Sequence, residues 1–198
     1  NATRASGWIP GAPSPRQATS QIFDRLCPAL WSLVMKFKLE QIAICPRDPS
    51  EAKKLLKEMG VSDWAEDHVV AKGSVFGTPS LNEANLSFNY DLIDGNEFEI
   101  LEYTKGANWV DARGWGRNNN PSANSVSHLG MHCTAEELVD WREFFKERSI
   151  GVAQEVVTES HTNPVIAGKR TYNYVIFDTR EILGVDLKFI VRINNDSF

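Results

Sequence analysis

The chain has no excess of basic charge: 21 Lys and Arg stand against 26 Asp and Glu, giving a net charge of -5 and a pI near 5.4. That removes the electrostatic footprint of a nucleic-acid partner. No apolar run approaches the roughly 20 residues a membrane span needs, so no membrane partner is expected either. Cysteine is scarce. Cys27, Cys45 and Cys133 are odd in number and lack scaffold-like or metal-like spacing, so they read as thiols in a reducing compartment and point to a cytoplasmic protein. The chain opens Asn1-Ala2 without a methionine, which is compatible with a trimmed tag or a removed targeting peptide. Its 198 residues suffice for one well-filled domain or two small ones.

What is present is clearest at Val126 to Cys133, Val-Ser-His-Leu-Gly-Met-His-Cys, which reads as one strand with two chemically different faces. Side chains alternate across a strand, so Leu129, Met131 and Cys133 share one face while His128, Gly130 and His132 share the other. A helix follows with a capping box, Thr134 at the N-cap and Glu137 three residues on. Its Leu138, Trp141, Phe144 and Phe145 recur at helical spacing and are expected to pack on the apolar face of the strand.

The same order occurs earlier. Leu39 to Cys45 reads as a strand, Asp48 as an N-cap with Pro49 at the first helical position, and Ala52, Leu55, Leu56 and Met59 as an apolar helix face ending at Gly60. Three strand-like runs follow each helix, near 68–76, 84–90 and 97–103 in the first half and near 152–158, 171–177 and 185–192 in the second. The chain is thus read as an internal duplication of a βαβββ unit. The expected fold is α+β, with modules at 38–103 and 126–198, a Gly- and Asn-rich linker at 104–125 carrying Trp109 and Trp115, and an N-terminal arm and helix at 1–37.

If each module's helix covers one side of its sheet, the other side meets solvent or lines a cavity. Strand parity assigns to that side Gln41, Ala43 and Cys45; Asn85, Ser87 and Asn89; Glu97, Glu99, Leu101 and Tyr103; Tyr172, Tyr174 and Ile176; and Asp186, Lys188, Ile190 and Arg192. Amide, carboxylate and imidazole therefore fall at matching places in the two halves. Gln41 and Glu99 lie 58 residues apart, and His128 and Lys188 lie 60 apart.

At these residues the chain resembles the vicinal oxygen chelate superfamily, which includes glyoxalase I, extradiol dioxygenases, methylmalonyl-CoA epimerase and the bleomycin-binding proteins. The likeness covers about residues 38–193. Ser-His128-Leu-Gly-Met-His resembles the histidine-bearing first strand of a module, and Asp94-Gly95-Asn96-Glu97-Phe98-Glu99-Ile100 the turn and glutamate-bearing last strand. The resemblance implies paired βαβββ modules forming a curled mixed-sheet cup, closed within one chain or between two copies as a homodimer. It implies a divalent metal held by His128, Glu99 and Gln41, with Lys188 standing where the glyoxalase pattern has a fourth, glutamate, ligand.

The expected function is that of a lyase, isomerase or dioxygenase using the metal as a Lewis acid on a small oxygenated metabolite. Lys188, His132, Tyr172, Tyr174, Arg192 and Asp186 are then expected to contact the substrate. The alternative is a metal-free protein of the bleomycin-resistance type that binds or sequesters a small molecule, with Asn85, Asn89, the tyrosines and the linker tryptophans supplying contacts. Lys188 separates the two: beside a metal it turns aside, and without one it pairs with Glu99.

Overall fold

Alternation in the sequence becomes alternation of burial in β1, Gln41–Cys45, where Gln41, Ala43 and Cys45 are buried and Ile42 and Ile44 are half-buried. The computed structural model describes residues 35–105, 125–165 and 167–194. The expected N-terminal arm and helix up to residue 34, and Trp109 and Trp115 of the linker, lie outside the described residues. Leu39–Phe198 forms one compact unit. Its elements after β1 are α1 (Pro49–Glu58), β2 (Ala65–Val75), β3 (Thr78–Asn89), β4 (Glu97–Lys105), β5 (Ser125–His132), α2 (Ala135–Lys146), β6 (Val152–Ser160), β7 (Arg170–Phe177), the short α3 (Arg180–Leu183) and β8 (Asp186–Asn194). The order βαβββ occurs twice, with one extra helical turn before the last strand.

Both expected caps form. Asp48 accepts from the backbone N–H groups of Ser50 and Glu51, and Thr134 and Glu137 make a reciprocal capping box. The helices differ in how they pack. In α2, Leu138, Trp141 and Phe145 are buried, and Phe145 stacks on Phe177 at 4.1 Å while Trp141 lies 5.0 Å from Phe189. In α1 the expected apolar face is only partly used. Ala52 and Leu56 are half-buried, whereas Leu55 is 58% exposed and Met59 69% exposed. No helix among the described residues is long and apolar enough to cross a membrane.

The sheet closes further than a cup. Its strands run β1-β4-β3-β2-β6-β7-β8-β5 and return to β1, making a closed barrel within one chain. Within each module the first and last strands pair in parallel, β1 with β4 and β5 with β8, because the helix carries the chain across. The modules join at two antiparallel seams, β1 with β5 and β2 with β6. Each module's exposed edges are thereby consumed by the other, which is the reason a duplicated open sheet becomes a barrel.

Each seam has a glycine where a side chain would not fit. A Cβ on Gly73 would lie 2.0 Å from the backbone oxygen of Glu155, and one on Gly130 would lie 2.9 Å from Gln41 Oε1. The first is a backbone-to-backbone approach across β2 and β6, so the strands themselves must separate to admit a methyl group. Gly73→Ala is expected to destabilise the protein by about 1–3 kcal/mol, the range for overpacking, read as a lower urea midpoint. An unchanged midpoint would mean that the seam is looser than described.

One strand reverses the parity expectation. Leu86 lies in the wall of the barrel interior, while Asn85 and Ser87 face outward, Asn85 Oδ1 2.9 Å from His68 Nδ1 and Ser87 donating to Glu66 at 2.6 Å. The register explains it: Leu86 pairs with Leu101 and Phe88 with Glu99, and paired residues share a face. Asn89 is buried but occupied with the turn, accepting from Asp91 and Leu92 and donating to the Asp63 carbonyl. Asn85 and Asn89 are therefore not cavity contacts.

Candidate active site in the barrel

Four adjacent strands, β4, β1, β5 and β8, place Glu99, Gln41, His128 and Lys188 in the barrel interior. Asp94 and Gly95 adopt positive φ of 58° and 87° in the turn that starts β4. Glycine and aspartate are among the residues that accept this conformation, and the turn sets the phase that aims Glu97 and Glu99 inward. Gly130, opposite Gln41 in the β1–β5 ladder, leaves the space that the Gln41 side chain fills.

All four side chains are nearly inaccessible: Gln41 is 2% exposed, Glu99 1%, His128 2% and Lys188 5%. His128 Nε2 is 2.9 Å from Gln41 Oε1 and 3.4 Å from Glu99 Oε2. Lys188 Nζ is 3.7 Å from the same carboxylate oxygen and lies over the Tyr174 ring, 4.1 Å from its centroid. Gln41 turns its amide nitrogen to Glu97, donating at 2.8 Å. An amide oxygen only accepts, so the His128 proton sits on Nε2, and Nδ1 accepts from the Ser127 hydroxyl 3.1 Å away. Glu99 Oε2 makes no hydrogen bond of ordinary geometry; its neighbours are the imidazole and the ammonium.

The electrostatics follow from this packing. Burial alone would raise the Glu99 carboxyl, but the Lys188 ammonium and the His128 ring outweigh it and hold it below the ordinary range. Burial, helped by Lys188, pushes His128 down to about 4, so the ring is neutral at neutral pH. Glu97 moves the other way: burial and the adjacent Glu99 charge raise it, against the opposing pull of His132, Lys188 and the Gln41 hydrogen bond. Tyr90, which hydrogen-bonds Glu97, is itself raised to about 12 by burial and that carboxylate.

The interior has two compartments. The inner one has room of about 40 Å³ beside Glu99, His128, Lys188 and Asn82, with Val69, Leu86, Leu101 and Ile176 among the apolar residues of its wall. The outer one, about 560 Å³, is lined by Gln41, Glu97, His132, Tyr172, Arg170 and Arg192, with Tyr90 and Asp67 at its side. Tyr174, Thr158, Val69 and Leu86 border both.

Of the expected substrate contacts, His132, Tyr172, Tyr174 and Arg192 line the outer compartment and Lys188 the inner one. His132 also lies 3.4 Å from Glu40. Asp186 does not join them. It is fully buried, 3.3 Å from Arg180 Nε, and lines neither compartment, because it enters at the start of β8 where α3 folds back over the barrel end.

Glu97, Arg170 and Tyr90 were not among the expected site residues. Glu97 had a readable signal: it shares a face with Glu99 one pleat, about 7 Å, away, and two buried like charges so close force one carboxyl upward.

As a donor set for a divalent cation, Gln41, Glu99 and His128 are the three expected ligands, brought together. The fourth position is held by an ammonium that has no lone pair and repels a cation. Among the described residues no group of three or more His, Cys, Asp or Glu side chains is arranged to hold a metal. The residues present therefore do not fit a divalent metal. Lys188→Glu, which removes the repelling charge and supplies a carboxylate, is expected to create nickel or zinc affinity measurable by calorimetry; equal affinity in both proteins would overturn this account of Lys188.

The buried imidazole also predicts a pH dependence. Above the ordinary histidine value of 6.5, His128 is neutral in folded and unfolded chains alike. As pH falls toward 4 the unfolded chain takes up a proton that the folded site refuses, so stability is lost through that window, roughly 2 kcal/mol by pH 5. Glu99, depressed, adds to the loss at still lower pH. Glu97, raised, acts in the opposite sense, its contribution present at low pH and lost as pH rises. Urea midpoints at pH 7 and pH 5 should differ in this direction, and His128→Asn should shrink the difference.

The two βαβββ units are the arrangement expected from the sequence, here closed into one barrel. No family model matches the chain, and no curated protein matches it in sequence. Among solved structures, it is similar to a Streptomyces coelicolor methylmalonyl-CoA epimerase variant in complex with 2-nitronate-propionyl-CoA, at 11% identity and a TM-score of 0.45, over 79% of this chain and 98% of that one. It is similar to hypothetical protein BH1468 from Bacillus halodurans C-125, at 12% identity and a TM-score of 0.45, over 81% and 98%. A methylmalonyl-CoA epimerase in complex with methylmalonyl-CoA and NH4+ gives 12% identity and a TM-score of 0.44, over 78% and 93%. Likeness at this level carries no functional argument.

Proposed function

We propose that this chain is an acid–base enzyme of the isomerase or lyase type, acting on a small oxygenated molecule in the outer compartment of the barrel, with Glu97 as the group that moves the proton. The observation that carries this reading is the pair of carboxylates on one face of β4. Lys188 and His128 keep Glu99 ionised, while burial and the Glu99 charge raise Glu97, which lines the outer compartment. Two carboxyls pushed apart in this way are the usual mark of an acid–base assignment.

In this reading Glu97 removes a proton from a carbon next to a carbonyl and returns it, to the same carbon or a neighbouring one. A raised carboxyl suits the task, since a general base works best when its pKa approaches the operating pH. Gln41 orients it: the amide is fixed at one end by His128 and donates to Glu97 at the other. No step is assigned to a metal, because the donor set opposes one, and for that reason an oxygenase reaction is not part of the proposal.

The test is proton exchange. In deuterium oxide with chelator present, the protein should catalyse exchange at the carbon beside the carbonyl in members of a panel of small oxo acids and acyl esters, followed by NMR. Glu97→Gln should lower that rate by about 10²–10⁴-fold, the usual worth of a positioned acid or base, without lowering the melting temperature. Saturable binding without exchange would instead make this a binding or sequestering protein, and exchange that requires an added divalent metal would restore the metal-dependent reading.

A further inference from the structure

The inner compartment holds a polar atom that neither the packing of the barrel nor the proton transfer accounts for. Asn82 is 1% exposed and lies on the inward face of β3 with Ala84 and Leu86, all three in the compartment wall. The hydroxyl of Ser80, two residues back, donates to Asn82 Oδ1 at 3.1 Å. Nδ2, the other end of the amide, finds no hydrogen-bond partner among the described residues. A buried N–H without an acceptor carries the full desolvation cost of that group, and a bound group that accepts from it recovers that cost.

Glu99 borders the same space, its Oε2 balanced in charge by Lys188 but making no hydrogen bond of ordinary geometry. The compartment as a whole is close to neutral. Lys188 offsets Glu99, His128 is uncharged at neutral pH, and Glu83, which also borders it, has its carboxylate on Lys105 at 2.7 Å. A further ion brought here would be buried without a counter-charge, at a heavy desolvation cost that a neutral dipole escapes. Size narrows the choice. Room of about 40 Å³ corresponds to about three waters at roughly 10–15 Å³ each, or to a group of two or three non-hydrogen atoms. Because Tyr174, Thr158, Val69 and Leu86 border both compartments, such a group can belong to a molecule whose remainder sits in the outer one.

We infer that the inner compartment is a binding subsite for a short uncharged group that both accepts and donates a hydrogen bond, a primary carboxamide or a hydroxyl, accepting from Asn82 Nδ2 and donating to Glu99 Oε2. A carboxylate or phosphate is excluded from this end of the barrel. The subsite does not rest on the proposed proton transfer; only its assignment to the substrate of that reaction does.

Titration of the full chain, labelled in its Ile, Leu and Val methyl groups, with acetamide, ethanol, acetate and acetone at neutral pH tests it by NMR. Acetamide, acetate and acetone share size and shape, so differences among them report hydrogen bonding and charge. Leu101 and Ile176 line the inner compartment and not the outer, and Val165 the outer and not the inner, so their methyl shifts tell the two apart. Acetamide or ethanol should shift Leu101 and Ile176 saturably, with a Kd of roughly millimolar order, the range open to so few atoms. Acetone, which has no donor for Glu99, should bind about tenfold more weakly, and acetate should leave both methyls unmoved. Acetamide ahead of ethanol identifies a carboxamide, the reverse order a hydroxyl. Asn82→Leu, close to the native side chain in size, should weaken the binding of both about tenfold in a protein whose methyl spectrum is otherwise native. Saturable binding without proton exchange on any carbonyl compound leaves the subsite and removes the proton transfer, and exchange without such binding does the reverse. Acetate or acetone binding as tightly as acetamide and ethanol, a response confined to Val165, no response to any of the four, or native affinity in Asn82→Leu would overturn the subsite.

Discussion

A single buried carboxylate oxygen, Oε2 of Glu99, organises the interior of this barrel. It is almost wholly removed from water and has no ordinary hydrogen bond, so its charge is supported by the Lys188 ammonium at 3.7 Å and the His128 ring at 3.4 Å. Removing one member of a buried pair strands the other, so β4, β5 and β8 are tied together electrostatically at the point where the two modules meet. The same charge adds to burial in raising Glu97 one pleat away.

Lys188 gives this arrangement its character. In a four-ligand metal site the positive charge at the centre is an exchangeable ion; here it is a covalently tethered ammonium. Glu99 has a permanent counter-ion and His128 stays neutral. Gln41, freed from a ligand's role, hydrogen-bonds His128 with its oxygen and Glu97 with its nitrogen. The inner compartment is then an electrostatic support, and the larger outer compartment, lined by Arg, Tyr and Glu97, is the one the proposed proton transfer uses.

Much of the fold was legible because the signals were local. The N-cap at Asp48, the capping box at Thr134 and the 2-residue alternation of β1, β4, β5, β7 and β8 each depend on neighbours within a few positions, and each appears in the structure. The duplication made the inward positions of one module a check on the other, which is how Gln41, Glu99, His128 and Lys188 could be placed on one face. The same local reasoning failed on β3, where both faces carry plausible residues: apolar Leu86 and Phe88 on one, polar Asn85 and Ser87 on the other. An interior that is half aliphatic cannot be told from a helix-covered face by polarity alone. It failed on α1 as well, since amphipathic spacing says which residues are able to pack and not whether a partner surface reaches them.

The sequence by itself determined the paired βαβββ order, the helix starts and the four side chains that share the barrel interior, because caps, alternation and repeat spacing act over short distances along the chain. Only the tertiary structure decided that the two sheets close into one barrel through the β1–β5 and β2–β6 seams, since strand edges have no signature of which edge they will meet. It also decided that Lys188 turns inward to Glu99, that Asp186 turns away to Arg180, and that Arg170 faces the cavity. Charge pairing and burial depend on distances across strands far apart in sequence, and those distances exist only once the barrel is closed.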